Sequence, residues 1–78
     1  MRISVILPVL NEEKSIGRTL AAVMALHPHE IIVVDGGSTD RTRRISAEAG
    51  AKVLIIGPGR ARQMNRGALQ ETGDVLLF

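Results

Sequence analysis

A chain of 78 residues forms one domain at most, and a fold of that size buries only about 60% of its unfolded surface. Apolar residues make up 45% of the sequence, which favours a globular core, and this core is aliphatic because Phe78 is the one aromatic residue. The formal net charge is only +2, but six of the eight arginines lie between Arg41 and Arg66, which favours an anionic partner such as a diphosphate. Nucleic acid is a poor fit, because there is no aromatic stacking platform and no dense basic run.

Cysteine is absent, which excludes disulfides and thiolate metal sites and fits a cytoplasmic protein. No apolar stretch in the sequence approaches the roughly 18 residues that a membrane span needs. We therefore expect a cytoplasmic domain with no membrane span of its own.

The first half of the chain predicts a strand, a helix and a second strand. The first strand covers about residues 2–8, and its continuous apolar character indicates burial on both faces, as in a parallel sheet. Asn11 is expected to cap the helix, with the two glutamates that follow it in the first turn, where the helix dipole favours acids. Pro28 ends the helix, and residues 30–34 form the second strand. The apolar stripe of the helix consists of Ile16, Leu20, Val23 and Met24.

The second half repeats the alternation of helix and strand. A second helix ends at Gly50, which stands where a glycine commonly follows a helix, and its inward face carries Ile45, Ala49 and Thr42. Residues 52–56 form the third strand, and a Gly-Pro-Gly turn leads to a third helix over 60–71. The fourth strand covers 74–78. The candidate caps of the second helix are Ser38, Thr39 and Asp40.

Strands that alternate with helices predict an α/β fold, here a Rossmann-like three-layer half-domain with a parallel sheet of about four strands in the order β-α-β-α-β-α-β. The loops after the first three strands, residues 8–13, 35–40 and 57–62, then leave the sheet at one edge. Ligands of open α/β sheets bind at this carboxyl edge. We also expect the fourth strand to lie beside the first and to leave an unprotected sheet edge, which favours self-association or pairing with a complementary segment.

The acid-glycine segment after the second strand is the principal candidate site. Asp35 ends a buried apolar run, and a carboxylate there must find hydrogen-bond donors to offset its desolvation. It could accept a base N–H or a ribose hydroxyl of a ligand, or it could cap the loop amides that follow. Gly36 and Gly37 allow positive φ and close approach to a ligand, although a plain tight turn explains them equally well. Ser38 is expected to cap the helix first and to contact a ligand second.

Arginines in the loop after the third strand are a second candidate. Arg60 and Arg62 stand in the first turn of a predicted helix, where positive charge opposes the helix dipole. Guanidinium and backbone N–H groups together suit a diphosphate, and the alternative is solvated surface arginine. His27, His29 and Asp74 are expected at the opposite edge of the sheet and are not predicted to bind metal. A dinucleotide fingerprint and a P-loop are both absent from the sequence.

Four segments together resemble the nucleotide-sugar end of a family 2 glycosyltransferase, a GT-A type domain. These segments are residues 3–13, 31–40, 59–67 and 72–78, and the chain is similar to bacterial members with Val-Asp-Gly-Gly-Ser-Thr-Asp and Gly-Arg-Ala-Arg-Gln-Met-Asn runs. In that family the loop after the first strand wraps the nucleoside, so the resemblance implies that Pro8, Asn11 and Glu12 line the site. It further implies transfer of a sugar, with inversion, from a nucleotide diphosphate donor, with uridine as the expected base.

The resemblance also implies groups that the 78 residues do not supply. Members of the family use a divalent metal, Mg²⁺ or Mn²⁺, held by an Asp-x-Asp motif, and a separate carboxylate as base; both would follow Phe78. We therefore expect residues 1–78 to be a partial nucleotide-sugar-binding domain, truncated before the metal motif and inactive alone. The alternatives are a non-catalytic nucleotide-binding or assembly module and a regulatory α/β domain of another kind.

Overall fold

The computed structural model describes residues 3–56 and, as backbone alone, residues 74–77. In chain order its elements are β1 (Ile3–Val9), α1 (Ile16–Met24), β2 (Glu30–Asp35), α2 (Thr42–Glu48), β3 (Lys52–Ile55) and β4 (Asp74–Leu77). All four predicted strands are present, each within about a residue of its expected bounds. The predicted turn at 57–59 and third helix at 60–71 lie outside the described residues, and so do Arg60 and Arg62.

The four strands form one parallel sheet with the order β3-β2-β1-β4. The fourth strand therefore lies beside the first, as predicted, and the α/β class is confirmed. Val9 is the register partner of Asp35, which is in turn opposite Ile55. Because all strands point the same way, the chain leaves β1 and β2 at adjacent points on the carboxyl edge.

The core is aliphatic and occupies both faces of β1 and β2. One face packs against α1 and α2, and its buried members are Val5, Leu7, Val9, Ile16, Leu20, Val23, Ile31 and Val33. The other face carries Ile6, Ile32 and Val34, with Ile56 packed against them. Burial on both faces explains why these strands read as unbroken apolar runs. Met24 is 37% exposed, so it does not belong to the buried stripe of α1.

The start of α1 differs from the prediction. Asn11 does not cap this helix, which begins at Ile16 with Ser15 as the N-cap residue and without a side-chain cap. Asn11 has a φ of 50° and directs its side chain to the backbone of Thr39 instead. The two glutamates consequently precede the helix and are not in its first turn. The N–H of Ser15 donates to the carbonyl of Glu12 at 3.0 Å, which closes a turn ahead of the helix.

The two ends of α2 agree with the sequence prediction more closely than the start of α1 does. Its N-cap is Arg41, one residue after the last of the three candidate caps, although Oδ1 of Asp40 still accepts the N–H of Thr42 at 2.9 Å. At the other end Gly50 has a φ of 94°, and its N–H and that of Ala51 donate to carbonyls in the last turn. This is a Schellman motif, in which glycine takes the left-handed position at no steric cost. In the described part of the chain, no helix has the length and apolarity needed to cross a membrane.

Candidate functional site

Two loops meet at the carboxyl edge of the sheet. The first loop is residues 10–15, after β1, and the second loop is residues 36–41, after β2. The N–H of Gly36 donates to the carbonyl of Val9 at 3.0 Å, so the two loops leave the sheet side by side. The sequence prediction that these two loops converge is confirmed.

Asp35 is the buried acid of this edge. Asp35 is 0% exposed, and its Oδ1 accepts the N–H of Gly37 at 2.8 Å and the N–H of Ser38 at 2.6 Å. The predicted capping of the loop amides by the Asp35 carboxylate is thus confirmed. Oδ2, however, is also buried and accepts no hydrogen bond from any residue that the structure describes. A carboxylate oxygen in that condition is costly unless a donor from elsewhere reaches it.

The ionisation of Asp35 follows from its neighbours. Burial raises the pKa of this carboxyl, but the hydroxyl and N–H of Ser38 and the N–H of Gly37 lower it. The charge of Arg43 adds to this, and the net pKa lies below the ordinary value of aspartic acid. Asp35 is therefore an anion at neutral pH, and Oδ2 is a buried anionic acceptor.

The two glycines after Asp35 are not equivalent. Gly37 has a φ of 112°, in the left-handed region, and a Cβ placed there would meet no atom within 4 Å. Gly36 is outside that region, and a Cβ there would make an ordinary contact of 3.7 Å with the carbonyl of Val9. Only Gly37 therefore needs to be glycine for its backbone conformation.

Hydrogen bonds join the two loops directly. The N–H of Asn11 donates to Oγ of Ser38 at 2.8 Å, and the N–H of Thr39 donates to Oδ1 of Asn11 at 2.8 Å. Asn11 and Ser38, both predicted to touch a ligand, thus bind each other's loop through these atoms. Their first role in the structure is to hold the edge together.

A second set of contacts involves α2. The N–H of Glu12 donates to Oγ1 of Thr42 at 2.8 Å, and the N–H of Glu13 donates to Oδ2 of Asp40 at 3.2 Å. Oγ1 of Thr42 donates in turn to Oδ1 of Asp40. Chiefly because of the hydrogen bonds from Thr42, the pKa of Asp40 lies below its ordinary value. The carboxylate of Asp40 is thus satisfied entirely by its neighbours.

An open cleft of about 220 Å³ lies between the end of β1 and the start of α1. Its lining residues are Leu7, Pro8, Val9, Glu12, Ser15, Ile16 and Thr19. Pro8 and Glu12 therefore reach a concave surface at the predicted edge. Asp35 does not line this cleft and lies beneath the second loop instead.

Three residues of the edge were missed or misjudged from the sequence. The sequence predicts Thr42 on the inward, apolar face of α2, whereas its hydroxyl connects the helix to the first loop. It predicts Asp40 as a candidate helix cap, and this residue also binds the first loop. Arg43 places a cation in the first turn of α2 near Asp35. Arg43 could have been found from the sequence, because a basic residue in the first turn of a helix opposes the helix dipole. The same feature indicated Arg60 and Arg62.

The residues excluded from the site do lie elsewhere. His29 is next to the start of β2, where its N–H donates to the carbonyl of Ile3 at 2.8 Å, and Asp74 is the register partner of Ile3. These positions are at the amino edge, opposite the two loops, as predicted. Within residues 3–56 and 74–77, no group of three or more acidic or histidine side chains could hold a metal ion.

Comparison with known proteins gives a consistent result. Residues 4–78 match the sequence model of the family described as Glycosyl transferase family 2. The chain is 35% identical to glucosyl-3-phosphoglycerate synthase of Mycolicibacterium smegmatis over 97% of its length, and 37% identical to an uncharacterized glycosyltransferase of Mycobacterium tuberculosis over 95%. It spans only 29% and 34% of these two relatives.

Solved structures agree with the sequence relatives. The crystal structure of glucosyl-3-phosphoglycerate synthase from Mycobacterium tuberculosis in complex with Mn²⁺, UDP and glucosyl-3-phosphoglycerate superimposes with a TM-score of 0.81 at 32% identity. The match covers 99% of this chain and 32% of that one. A crystal structure of the same enzyme contains Mg²⁺ and UDP. The expectation that the family uses a divalent metal is confirmed by these relatives.

Proposed function

This chain belongs to glycosyl transferase family 2, and on that premise we propose that its carboxyl edge binds the nucleoside diphosphate of a sugar donor. The observation that carries the proposal is Oδ2 of Asp35, an anionic acceptor that is buried at this edge and accepts no hydrogen bond among the described residues. A base N–H is the kind of donor that such an oxygen requires. Relatives that bind UDP and UDP-glucose support the same class of ligand.

The charge of Asp35 also selects among bases. Uracil offers an N–H at N3, whereas cytosine offers a lone pair at the same position. A buried carboxylate attracts the first and repels the second, and a site built for a donor rejects an analogue that lacks one. We therefore propose uridine over cytidine as the donor nucleoside.

Each remaining candidate residue has a proposed part in this site. Pro8 and Glu12 line the cleft beside which the nucleoside would lie, and Gly37 allows the backbone to approach it closely. Arg60 and Arg62 are proposed to bind the diphosphate, where guanidinium groups suit phosphate oxygens. The candidates Asn11, Gly36 and Ser38 shape the loops that surround the nucleoside.

The chemistry of transfer needs further groups. The described residues do not fit a divalent metal, because no group of three or more of their acidic or histidine side chains could hold one. In sugar transfer from a nucleotide, a metal would offset charge on the diphosphate leaving group. We propose that residues 1–78 are the donor-binding part of a GT-A domain, and that they bind the nucleotide without transferring sugar by themselves. Metal-dependent sugar transfer by the isolated chain would contradict this.

The exposed edges of the sheet support a proposal that this chain associates with a second copy or a further segment. β3 and β4 are the outer strands, and on β3 the residues Leu54 and Ile55 are 52% and 63% exposed. Exposed apolar side chains on an edge strand favour pairing with a further chain or segment. We propose self-association or coverage by a complementary segment, to be tested by light scattering over a range of concentrations. A cytoplasmic location is likewise a prediction, made from the lack of cysteine.

The decisive experiment is an amide NMR titration of the 78-residue chain with UDP, with and without Mg²⁺. We expect dispersed resonances and shifts at Gly37, Ser38 and the neighbours of Pro8. Dispersed resonances that do not shift would overturn the proposal and favour an assembly module without a nucleotide site. Collapsed resonances would contradict the proposal that these residues alone bind the nucleotide.

A further inference from the structure

We propose that Thr42 is a positioning residue of the nucleotide site, whose buried hydroxyl fixes the first loop against the second before any ligand binds. The inference rests on the proposed function, because the loop in question follows Pro8 and presents Glu12 to the cleft. It assigns a binding role to a side chain that lies on a helix and is 0% exposed. Thr42 therefore acts through the loop and does not touch the nucleotide.

The geometry of the hydroxyl is specific. Oγ1 of Thr42 donates its single proton to Oδ1 of Asp40, so the lone pairs of Oγ1 are left for another donor. The N–H of Glu12 uses one of them at 2.8 Å. The N–H of Thr42 also donates to Oδ1 of Asp40, at 2.9 Å, which holds the carboxylate in place. The backbone of Glu12 is thus connected to α2 through an oriented hydroxyl.

Thr42 is the middle member of a row of three contacts. The consecutive N–H groups of Asn11, Glu12 and Glu13 donate to side chains of Ser38, Thr42 and Asp40. Three successive backbone donors are therefore satisfied by residues that are 27 to 30 positions away in the sequence. None of these bonds needs a ligand, so the loop is ordered in advance. Ordering in advance lowers the entropy that binding would otherwise cost.

The same helix supplies a matched control. Ser46 lies one turn after Thr42, is also 0% exposed, and also makes a hydrogen bond through its hydroxyl. Its Oγ donates to the carbonyl of Thr42 at 2.8 Å, within α2, and does not reach the first loop. Removing the hydroxyl of Ser46 deletes one buried hydrogen bond within α2. Removing that of Thr42 deletes its bonds to Asp40 and Glu12, and only this change frees the loop.

The test compares UDP binding by the 78-residue chain and three variants, measured by calorimetry, with amide hydrogen exchange of Glu12 as a second readout. We expect Thr42→Val to raise the Kd for UDP about tenfold, because the N–H of Glu12 loses its acceptor. That amide should exchange at least about tenfold faster. Thr42→Ser keeps the hydroxyl and should restore both values, and Ser46→Ala should leave the Kd within about twofold.

The outcomes separate the inference from the proposed function. If the parent chain itself does not bind UDP, the proposed function fails and the inference fails with it. If the parent binds, the inference is overturned when Thr42→Val keeps the parent Kd, or when Ser46→Ala weakens binding as much. Should Thr42→Val not fold, Asp40→Asn is the second variant, because it removes one oxygen acceptor of the row at a partly exposed residue. It should weaken UDP binding, and an unchanged Kd would count against the positioning role.

Discussion

Replacement of Asp35 by asparagine tests the buried acceptor without changing its shape. The carbonyl oxygen of the amide can still accept the N–H groups of Gly37 and Ser38, now bonded at 2.8 and 2.6 Å. The amide nitrogen then takes the place of Oδ2 and becomes a donor where the base presents a donor. A hydrogen bond to a charged group contributes roughly 1.5–3 kcal/mol, so the Kd for UDP should rise about 10- to 150-fold.

The same substitution should change the selectivity for the base. Cytosine presents a lone pair at N3, which the new amide donor can satisfy, so CDP should bind Asp35→Asn more tightly than it binds the parent. Calorimetric titrations with UDP and CDP measure the ratio of the two Kd values. Asp40→Asn is the control, because both oxygens of its carboxylate already accept hydrogen bonds, from Glu13 and Thr42. It should weaken UDP and CDP by the same factor.

An unchanged ratio of the UDP and CDP affinities in Asp35→Asn would refute the assignment of Oδ2 to the base. Loss of binding to both nucleotides together with loss of NMR dispersion would instead show that Asp35 supports the fold. The spectrum of each variant therefore accompanies its titration.

The remaining predictions concern stability. The pKa values of Asp35 and Asp40 are lowered in the folded state. The stabilisation that these two carboxylates provide is therefore complete above about pH 4 and is lost as the pH falls through the folded pKa values. The midpoints of urea unfolding at about pH 7, 4 and 3 should decrease in that order, and equal midpoints would contradict this. Gly50→Ala forces a φ of 94° on a residue with a Cβ and should lower the free energy of unfolding by about 1 kcal/mol. Gly17 lies in α1, and a Cβ there would make an ordinary 4.0 Å contact with a side chain, so Gly17→Ala should raise the free energy of unfolding by up to about 1 kcal/mol. Equal changes in the free energy of unfolding for Gly50→Ala and Gly17→Ala would refute the proposed difference in backbone strain. Leu20→Ala, at 1% exposure, should cost about 2–5 kcal/mol and unfold much of this small domain by circular dichroism, whereas a native spectrum at 37 °C would indicate a looser core.

The local sequence pattern was sufficient to predict the strands and the end of α2. The unbroken apolar runs of β1 and β2 require burial on both faces, and that requirement alone predicts parallel strands with helices between them. Gly50 follows an apolar stripe at the right distance, so the left-handed residue after α2 could be located as well. The hydrogen bonds that Asp35 accepts from the loop amides could be predicted for a similar reason, since an acid at the end of a buried strand needs donors.

The start of α1 is where local rules failed. An asparagine followed by two glutamates is a good helix start, and nothing nearby in the sequence argues against it. In the tertiary structure Asn11 has a φ of 50°, and its side chain accepts the N–H of Thr39 instead of an N–H of α1. The helix consequently begins at Ile16, several residues later.

What the sequence determined by itself is the order of the elements, their parallel arrangement, the family, and the edge at which the two loops meet. These follow from the periodicity of apolar residues, from motifs, and from the handedness of the crossovers, all of which are local or general properties. Only the tertiary structure decided the pairing within the edge: Ser38 with Asn11, Thr42 with Glu12, and an oxygen of Asp35 that has no partner among residues 3–56. Each pair joins residues 27 or 30 positions apart, and a hydroxyl looks the same in a sequence whether it caps its own helix or fixes a distant loop.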